Sequence, residues 1–244
     1  MNENLLFFTA ATGRYQQFIT PYIFFALYHN NNAMAEIMTD NVDKYVRKND
    51  GAMRVLNKYF KNRFMIRDIP RGIESHTARF VVEPLTELEY TYMNDVDILI
   101  LESNLVETHT AIMKEKRSYF SNRMRGEKKL TGVHFVRTNP WYEQTKATRD
   151  SNKLNDEEAL YNIVNCTYGD PRQFTSDLRP IHGFHLSMNR PAVAPAGVAS
   201  WKTGPEPLRE IYRETIKSAE YKEIYPTFQE PFKLLLKELG KHVL

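Results

Sequence analysis

Blocks of apolar residues without alternation separate stretches in which apolar positions recur every three or four residues. That is the pattern of buried strands set between helices. Leu5-Leu6-Phe7-Phe8 is the first block, and it runs into a small-residue turn from Thr9 to Gly13. Phe18, Tyr22, Phe25 and Leu27 then lie at helical spacing within residues 15–29. Further strands are expected at 33–39 and at 63–67, the latter ended by Pro70. Helices are expected at 40–60, with a break near Asn49-Asp50-Gly51, and at 72–82. Ile98-Leu99-Ile100-Leu101 is apolar at every position and reads as a strand covered on both faces. A helix over 105–120, a mobile basic loop over 122–129, a strand over 130–136 and a helix over 140–149 follow. Another helix opens at Asn155, and residues 207–223 and 229–242 read as amphipathic helices. Phe232, Leu235, Leu236 and Leu239 form one apolar face of the last. Strands alternating with helices predict a single α/β domain with a mixed, mostly parallel sheet and C-terminal helices.

Composition narrows the class. Apolar residues make up 42% of the 244, and charged residues 26%, an ordinary globular balance. A net charge of +3 suits an acidic ligand but is too small to argue for nucleic acid. The single cysteine, Cys166, has no partner for an internal disulfide. No stretch has the length and apolarity of a membrane span, and the first apolar patch is broken too early for a signal peptide. The expected location is the cytoplasm or the surface of a membrane, the latter because the last helix carries basic residues beside its apolar face.

The chemistry gathers in two stretches. The first is Tyr90-Thr91-Tyr92-Met93-Asn94-Asp95-Val96-Asp97, leading into the apolar strand. Side chains at i and i+2 of an extended chain point the same way, so Asp95 and Asp97 repel each other unless a cation sits between them. Oxygen ligands favour Mg2+ or Mn2+, and such an ion can bridge a diphosphate. The plainer reading of Asn94-Asp95 is a turn. Arg79 is expected on a helix surface as a solvated charge, of interest only if it faces the same cleft. The second stretch holds His182-Gly183-Phe184-His185 and, five residues on, Arg190. A histidine would complete an oxygen-rich site and tilt it toward Mn2+, and an arginine can neutralise phosphate. Asp156, Glu157 and Glu158 suit the first turn of a helix for dipole reasons alone.

The order of these features resembles the small nucleotide-sugar glycosyltransferases of the A-type, single Rossmann-like fold. The features are a Thr-Ala-Ala-Thr loop, Arg79, Asp95-Val96-Asp97, Leu130-Thr131-Gly132-Val133-His134-Phe135, Asn155-Asp156-Glu157-Glu158, His185 and Arg190-Pro191. The likeness is to glycosyltransferase family 8 or a divergent neighbour, and it spans residues 5–191. It implies that Asp95, Asp97 and His185 hold Mn2+ or Mg2+, with His182 the competing third ligand. It implies that Thr9, Ala10 and Tyr15 hold the nucleoside, that Val96 belongs with Asp95 to the donor-binding set, that Arg79 lies near the nucleotide-sugar, and that Arg190 meets the diphosphate where the family has lysine. Asp156 and Glu157 would stand near the donor sugar as catalytic carboxylates. Residues 1–105 would form a nucleotide-binding half, 106–200 an acceptor half that completes the metal site, and 201–244 the C-terminal helices. The implied reaction moves a sugar from a nucleoside diphosphate, UDP by resemblance, to the hydroxyl of a glycan, a lipid-linked sugar or another acceptor, with retention of configuration. The residues alone leave two other readings open. One is a metal-dependent nucleotidyltransferase or phosphohydrolase. The other is a noncatalytic module binding anions or nucleic acid through the basic segment 123–129.

Overall fold

Strand β1, Leu5–Ala10, is the centre of the architecture, because its side chains alternate between two separate cores. Leu5 and Phe7 face one core, and Leu6 and Phe8 face the other. A strand buried on both sides needs no polar positions, which is why it reads as an unbroken apolar run. The computed structural model describes residues 4–149, 154–177, 180, 182–186 and 206–244.

After β1 the chain makes a short 3-10 turn and enters α1, Ile19–His29, whose residues are buried through Leu27. A helix apolar all round must be covered all round. The sheet covers one side, and the C-terminal helices cover the other: Phe25 stacks on Tyr212, Phe24 packs on Tyr221 and Phe18 on Phe232. The chain then runs outward through β2 (Ala33–Thr39), α2 (Val42–Lys48), α3 (Asp50–Phe60) and β3 (Phe64–Asp68). The expected break at Asn49 separates α2 from α3. A single turn of helix, α4 (Ala78–Val81), precedes β4 (Tyr90–Met93), which lies on the opposite side of β1 from β2. The main sheet has the order β3-β2-β1-β4, all parallel, and continues through two antiparallel pairings to β9 (His134–Arg137) and β6 (Phe120–Ser121). The strand order reverses between β1 and β4, and such a switch point opens a crevice at the carboxyl ends of its two strands.

Several boundaries differ from expectation, each for a local reason. The apolar strand β5 (Ile98–Ile100) is buried as predicted, yet it leaves the main sheet and pairs antiparallel with β10 (Gly183–His185). The helix expected over 72–82 shrinks to α4, because Gly72 has a left-handed φ of 81° and the chain turns until Thr77. Helix α5 (Leu105–Lys116) stops when Arg117 enters the left-handed region, and Phe120 then joins the sheet. The segment 122–129 is not an open loop. It forms a hairpin of β7 (Met124–Gly126) and β8 (Lys129–Leu130). Helices α6 (Thr138–Thr145) and α7 (Asp156–Tyr168) cover the second core. The predicted 207–223 helix is two, α8 (Glu206–Thr215) and α9 (Ala219–Ile224), because Ser218 caps the second by accepting from the Tyr221 amide. The last, α10 (Glu230–Val243), matches its predicted apolar face. Among the described residues no helix is long and apolar enough to cross a membrane.

Candidate active site

The crevice between β1 and β4 is a cavity of about 380 Å³. The loop after β1 forms one wall with Ala10, Ala11, Thr12 and Tyr15, and the loop after β4 forms the floor with Asp95, Val96 and Asp97. Buried polar contacts fasten the two loops together. Thr9 donates its hydroxyl to the Asn94 carbonyl at 2.7 Å, and the Tyr22 hydroxyl donates to the Asn94 side-chain oxygen. Thr9 is wholly buried behind the cavity, so its group is committed to this tie and it does not line the space.

The β5–β10 pairing supplies the third wall. His185 stands opposite Ile98, and the Leu186 amide donates to the Asp97 carbonyl at 2.8 Å. This register brings His185 Nε2 to 3.1 Å from Asp97 Oδ1. It depends on Gly183, since a Cβ there would lie 1.7 Å from the Leu99 carbonyl oxygen. Ligand atoms of Asp95, Asp97 and His185 all lie within 4.8 Å of one another. Two carboxylates and one imidazole at that spacing fit a divalent ion, with a donor set suited to Mn2+ as well as Mg2+.

His182, the competing third ligand, points elsewhere. Its Nδ1 is bonded to Glu102 and its Nε2 lies 2.8 Å from His109 Nε2, which leaves no nitrogen for the cavity. His109 in turn meets the Ser121 hydroxyl at 2.9 Å through Nδ1. Burial first, then the neighbouring His182 and His134, holds the His109 imidazole well below the usual histidine range. A neutral chain satisfies every contact: Ser121 donates to His109, His109 to His182, and His182 to the Glu102 carboxylate.

Arg79 is not a surface charge. Its side chain is 6% exposed, and Nη2 donates at 2.7 Å both to Asp95 Oδ1 and to Asp156 Oδ2. Burial opposes its charge, but the carboxylates of Asp95, Asp156 and Asp97 outweigh burial and hold its pKa above the ordinary arginine value. Gly132 makes room for this pair, since a Cβ there would meet Arg79 Nη2 at 3.0 Å and the Asp95 oxygens at 3.4 Å. One arginine against three carboxylates leaves the cavity anionic, so a diphosphate would be repelled unless a further cation entered with it. Tyr15 faces the same charges. Burial first, then Asp97 and Asp95, pushes its hydroxyl above the usual tyrosine range.

Of the residues singled out in the sequence, Ala10, Tyr15, Arg79, Asp95, Val96, Asp97, Asp156 and His185 meet around one space. Glu157 does not line it. It pairs with Arg125 of the β7–β8 hairpin, while Glu158 pairs with Lys129 at 3.2 Å. Arg190 lies outside the described residues. Ser75 and His76 also line the cavity and were not anticipated. Their segment reads in sequence as part of a helix, whereas it is a turn whose His76 ring bonds the Leu154 carbonyl at 3.1 Å.

No protein-family model matches the sequence, and no curated protein matches it. Solved structures do. The glycosyltransferase GlyE of Streptococcus pneumoniae TIGR4 aligns at a TM-score of 0.51 and 12% identity, over 73% of this chain and 46% of GlyE. This chain therefore spans less than half the length of that protein. The galactosyltransferase LgtC, solved with donor and acceptor sugar analogues, aligns at a TM-score of 0.49 and 12% identity, over 86% of this chain and 95% of LgtC. S. aureus TarS aligns at 0.46 and 12% identity, over 92% of this chain and 71% of the solved TarS chain. With the sheet order above, the likeness to GlyE shows that this chain has the A-type glycosyltransferase fold.

Proposed function

We propose that the protein is a metal-dependent glycosyltransferase of the kind seen in family 8, moving a sugar from a nucleoside diphosphate, UDP, to a hydroxyl acceptor on a glycan or lipid-linked sugar. The observation that carries the reading is the convergence of Asp95, Asp97 and His185 on one point of the crevice between β1 and β4. A Mn2+ or Mg2+ ion held by these three would supply Lewis-acid stabilisation of charge on the departing diphosphate. The chain's own residues do the rest. Tyr15, Ala10 and Val96 border the nucleoside. Arg79 fixes the carboxylates of Asp95 and Asp156 relative to each other, so neither reorganises as charge develops. Between the two acids proposed for catalysis, Asp156 takes the role, because it borders the cavity and Glu157 is paired with Arg125. A carboxylate there stabilises positive charge at the anomeric carbon as the bond to the diphosphate oxygen breaks and the bond to the acceptor oxygen forms. Arg190 is the further cation proposed for the diphosphate. On this reading, residues 1–105 bind the nucleotide and 106–200 complete the metal site and receive the acceptor.

The test is thermal unfolding with UDP, other nucleoside diphosphates and UDP-sugars, in Mn2+, Mg2+ or EDTA. A ligand that binds only the native state raises its melting temperature. We expect a UDP-induced rise that needs the metal, release of UDP from a UDP-sugar, and loss of both in Asp97→Ala. Release of pyrophosphate in place of a nucleoside diphosphate would overturn the reading, as would an Asp97→Ala protein with full metal-stimulated turnover.

A further inference from the structure

A second concavity, of about 360 Å³, lies at the other end of β4 from the aspartates. Tyr90 opens β4 and pairs with Arg137 of β9, whereas Met93, which leads to Asp95, pairs with His134. Tyr90 and Met93 are therefore about 10 Å apart along the strand, three steps of extended chain, and the aspartates lie beyond Met93. The lining of this concavity is cationic and aromatic. Lys114 and Arg117 come from the end of α5, Arg137 from β9, and Tyr90 and Tyr119 flank them. Among the described residues no carboxylate lines it. Arg137 shares its charge with Glu89 at 3.4 Å, while Lys114 and Arg117 make no ion pair among the described residues.

Helix polarity accounts for part of the charge, because cations at a helix C-terminus are stabilised. It does not account for Arg137, which belongs to a strand. Nor does it account for the backbone at Arg117, where φ is 50° at the end of α5. Glycine takes that cap position most often, since a side chain there is strained. An arginine at such a position, beside a lysine and a second arginine, is a backbone outlier set at a cationic concavity, and outliers of this kind are a starting point for a functional reading. A guanidinium and an ammonium with no acid among them suit phosphate oxygens. Thr110 spends its proton on the Val106 carbonyl, but Ser118, whose oxygen accepts from the Phe120 amide, keeps an O–H to donate, and Tyr119 offers a hydroxyl and a ring face for a hydroxylated group.

We propose that this concavity is a second ligand site, separate from the crevice, that takes a phosphate-bearing, hydroxyl-rich group. A soluble sugar phosphate and a phospholipid headgroup share that chemistry. The test uses the full chain in EDTA, which takes any divalent ion away from Asp95, Asp97 and His185. Glucose 1-phosphate and inorganic phosphate are titrated by calorimetry, and phosphatidylglycerol vesicles are compared with phosphatidylcholine vesicles by co-sedimentation. The variants are Lys114→Gln and Arg117→Gly. The glycine relieves the backbone strain, so Arg117→Gly should melt no lower than the native protein while its affinity falls roughly tenfold, the equivalent of one lost charged contact. Saturable binding of glucose 1-phosphate that both variants weaken supports the site and assigns it to soluble ligands. Co-sedimentation with phosphatidylglycerol alone, weakened by both variants, supports it and assigns it to a lipid headgroup. No saturable binding of any probe, or binding that neither variant changes, overturns it. Because no metal or nucleotide enters these measurements, they stand or fall apart from the proposed transferase activity.

Discussion

At the scale of single residues, the site is set by two glycines and an arginine more than by its acids. Arg79 has partners 16 and 77 positions away, and no local pattern announces either. An isolated arginine before a strand therefore reads as solvated, although it is the most buried cation in the crevice. Gly132 is similar. In a strand-like context it suggests close approach of backbone, whereas what approaches is the Arg79–Asp95 pair. A methyl at this position would press on the Arg79 tip, which Asp95 and Asp156 hold at 2.7 Å, so the guanidinium must shift against both. Gly132→Ala should therefore cost roughly 1–3 kcal/mol in denaturant unfolding. On the proposed function, it should also lower UDP-sugar turnover roughly tenfold, because a small displacement of positioned groups costs rate. Native turnover with an unchanged melt would remove Gly132 from the account.

Element by element, much of what depended on local pattern could be read in advance. The apolar blocks became strands and the break at Asn49 split a helix as expected. Asp95 and Asp97 do meet at the cavity, but on a turn closed by the Ile98 amide on the Asp95 carbonyl at 3.2 Å, not on extended chain. Some misses were local too, the left-handed turn at Gly72 and the Ser218 cap among them, and the others depended on distant contacts. The hairpin of β7 and β8 looks like a basic loop because its charges are satisfied by α7, through Arg125–Glu157 and Lys129–Glu158. The same pairing withdraws Glu157 from the cavity, so one missed element also misplaced one candidate acid. Between His182 and His185 the sequence offers no choice. The choice comes from β10, whose alternation sends His185 toward Asp97 and His182 toward Glu102 and His109. That pairing rests on Gly183, where a Cβ would meet backbone that has nowhere to go. Gly183→Ala should part β10 from β5 at a cost of roughly 3 kcal/mol, a fall of about 6–12 °C in melting temperature. It should also abolish any Mn2+-dependent rise, since His185 would leave Asp97. A variant that keeps the full Mn2+ response would show that β10 does not carry the third ligand.

For the whole molecule, the burial that makes two cores around one sheet also sets an acid limit. His134 is wholly buried against Phe80, Phe120 and Trp141. Asn122 donates to its Nδ1 at 2.9 Å, which requires an unprotonated nitrogen there, and its Nε2 has no partner among the described residues. Burial lowers its pKa to about 3, lowers that of His29 to about 4, and holds His109 well below the normal range. In the unfolded chain each returns to an ordinary value near 6.5. Below that value the unfolded state binds protons that the folded state refuses, so stability is fully present above about pH 6.5 and declines as pH falls toward the folded values. Each histidine adds up to roughly 1.4 kcal/mol per pH unit in that window. Melting temperature should therefore be flat from pH 7 to 8 and fall steeply between pH 6 and 4. The variant His134→Leu keeps the site apolar and removes one of these groups. It should reduce the acid slope by one histidine's share whatever it does to stability at pH 7, and equal slopes in the two proteins would show that the acid sensitivity arises elsewhere.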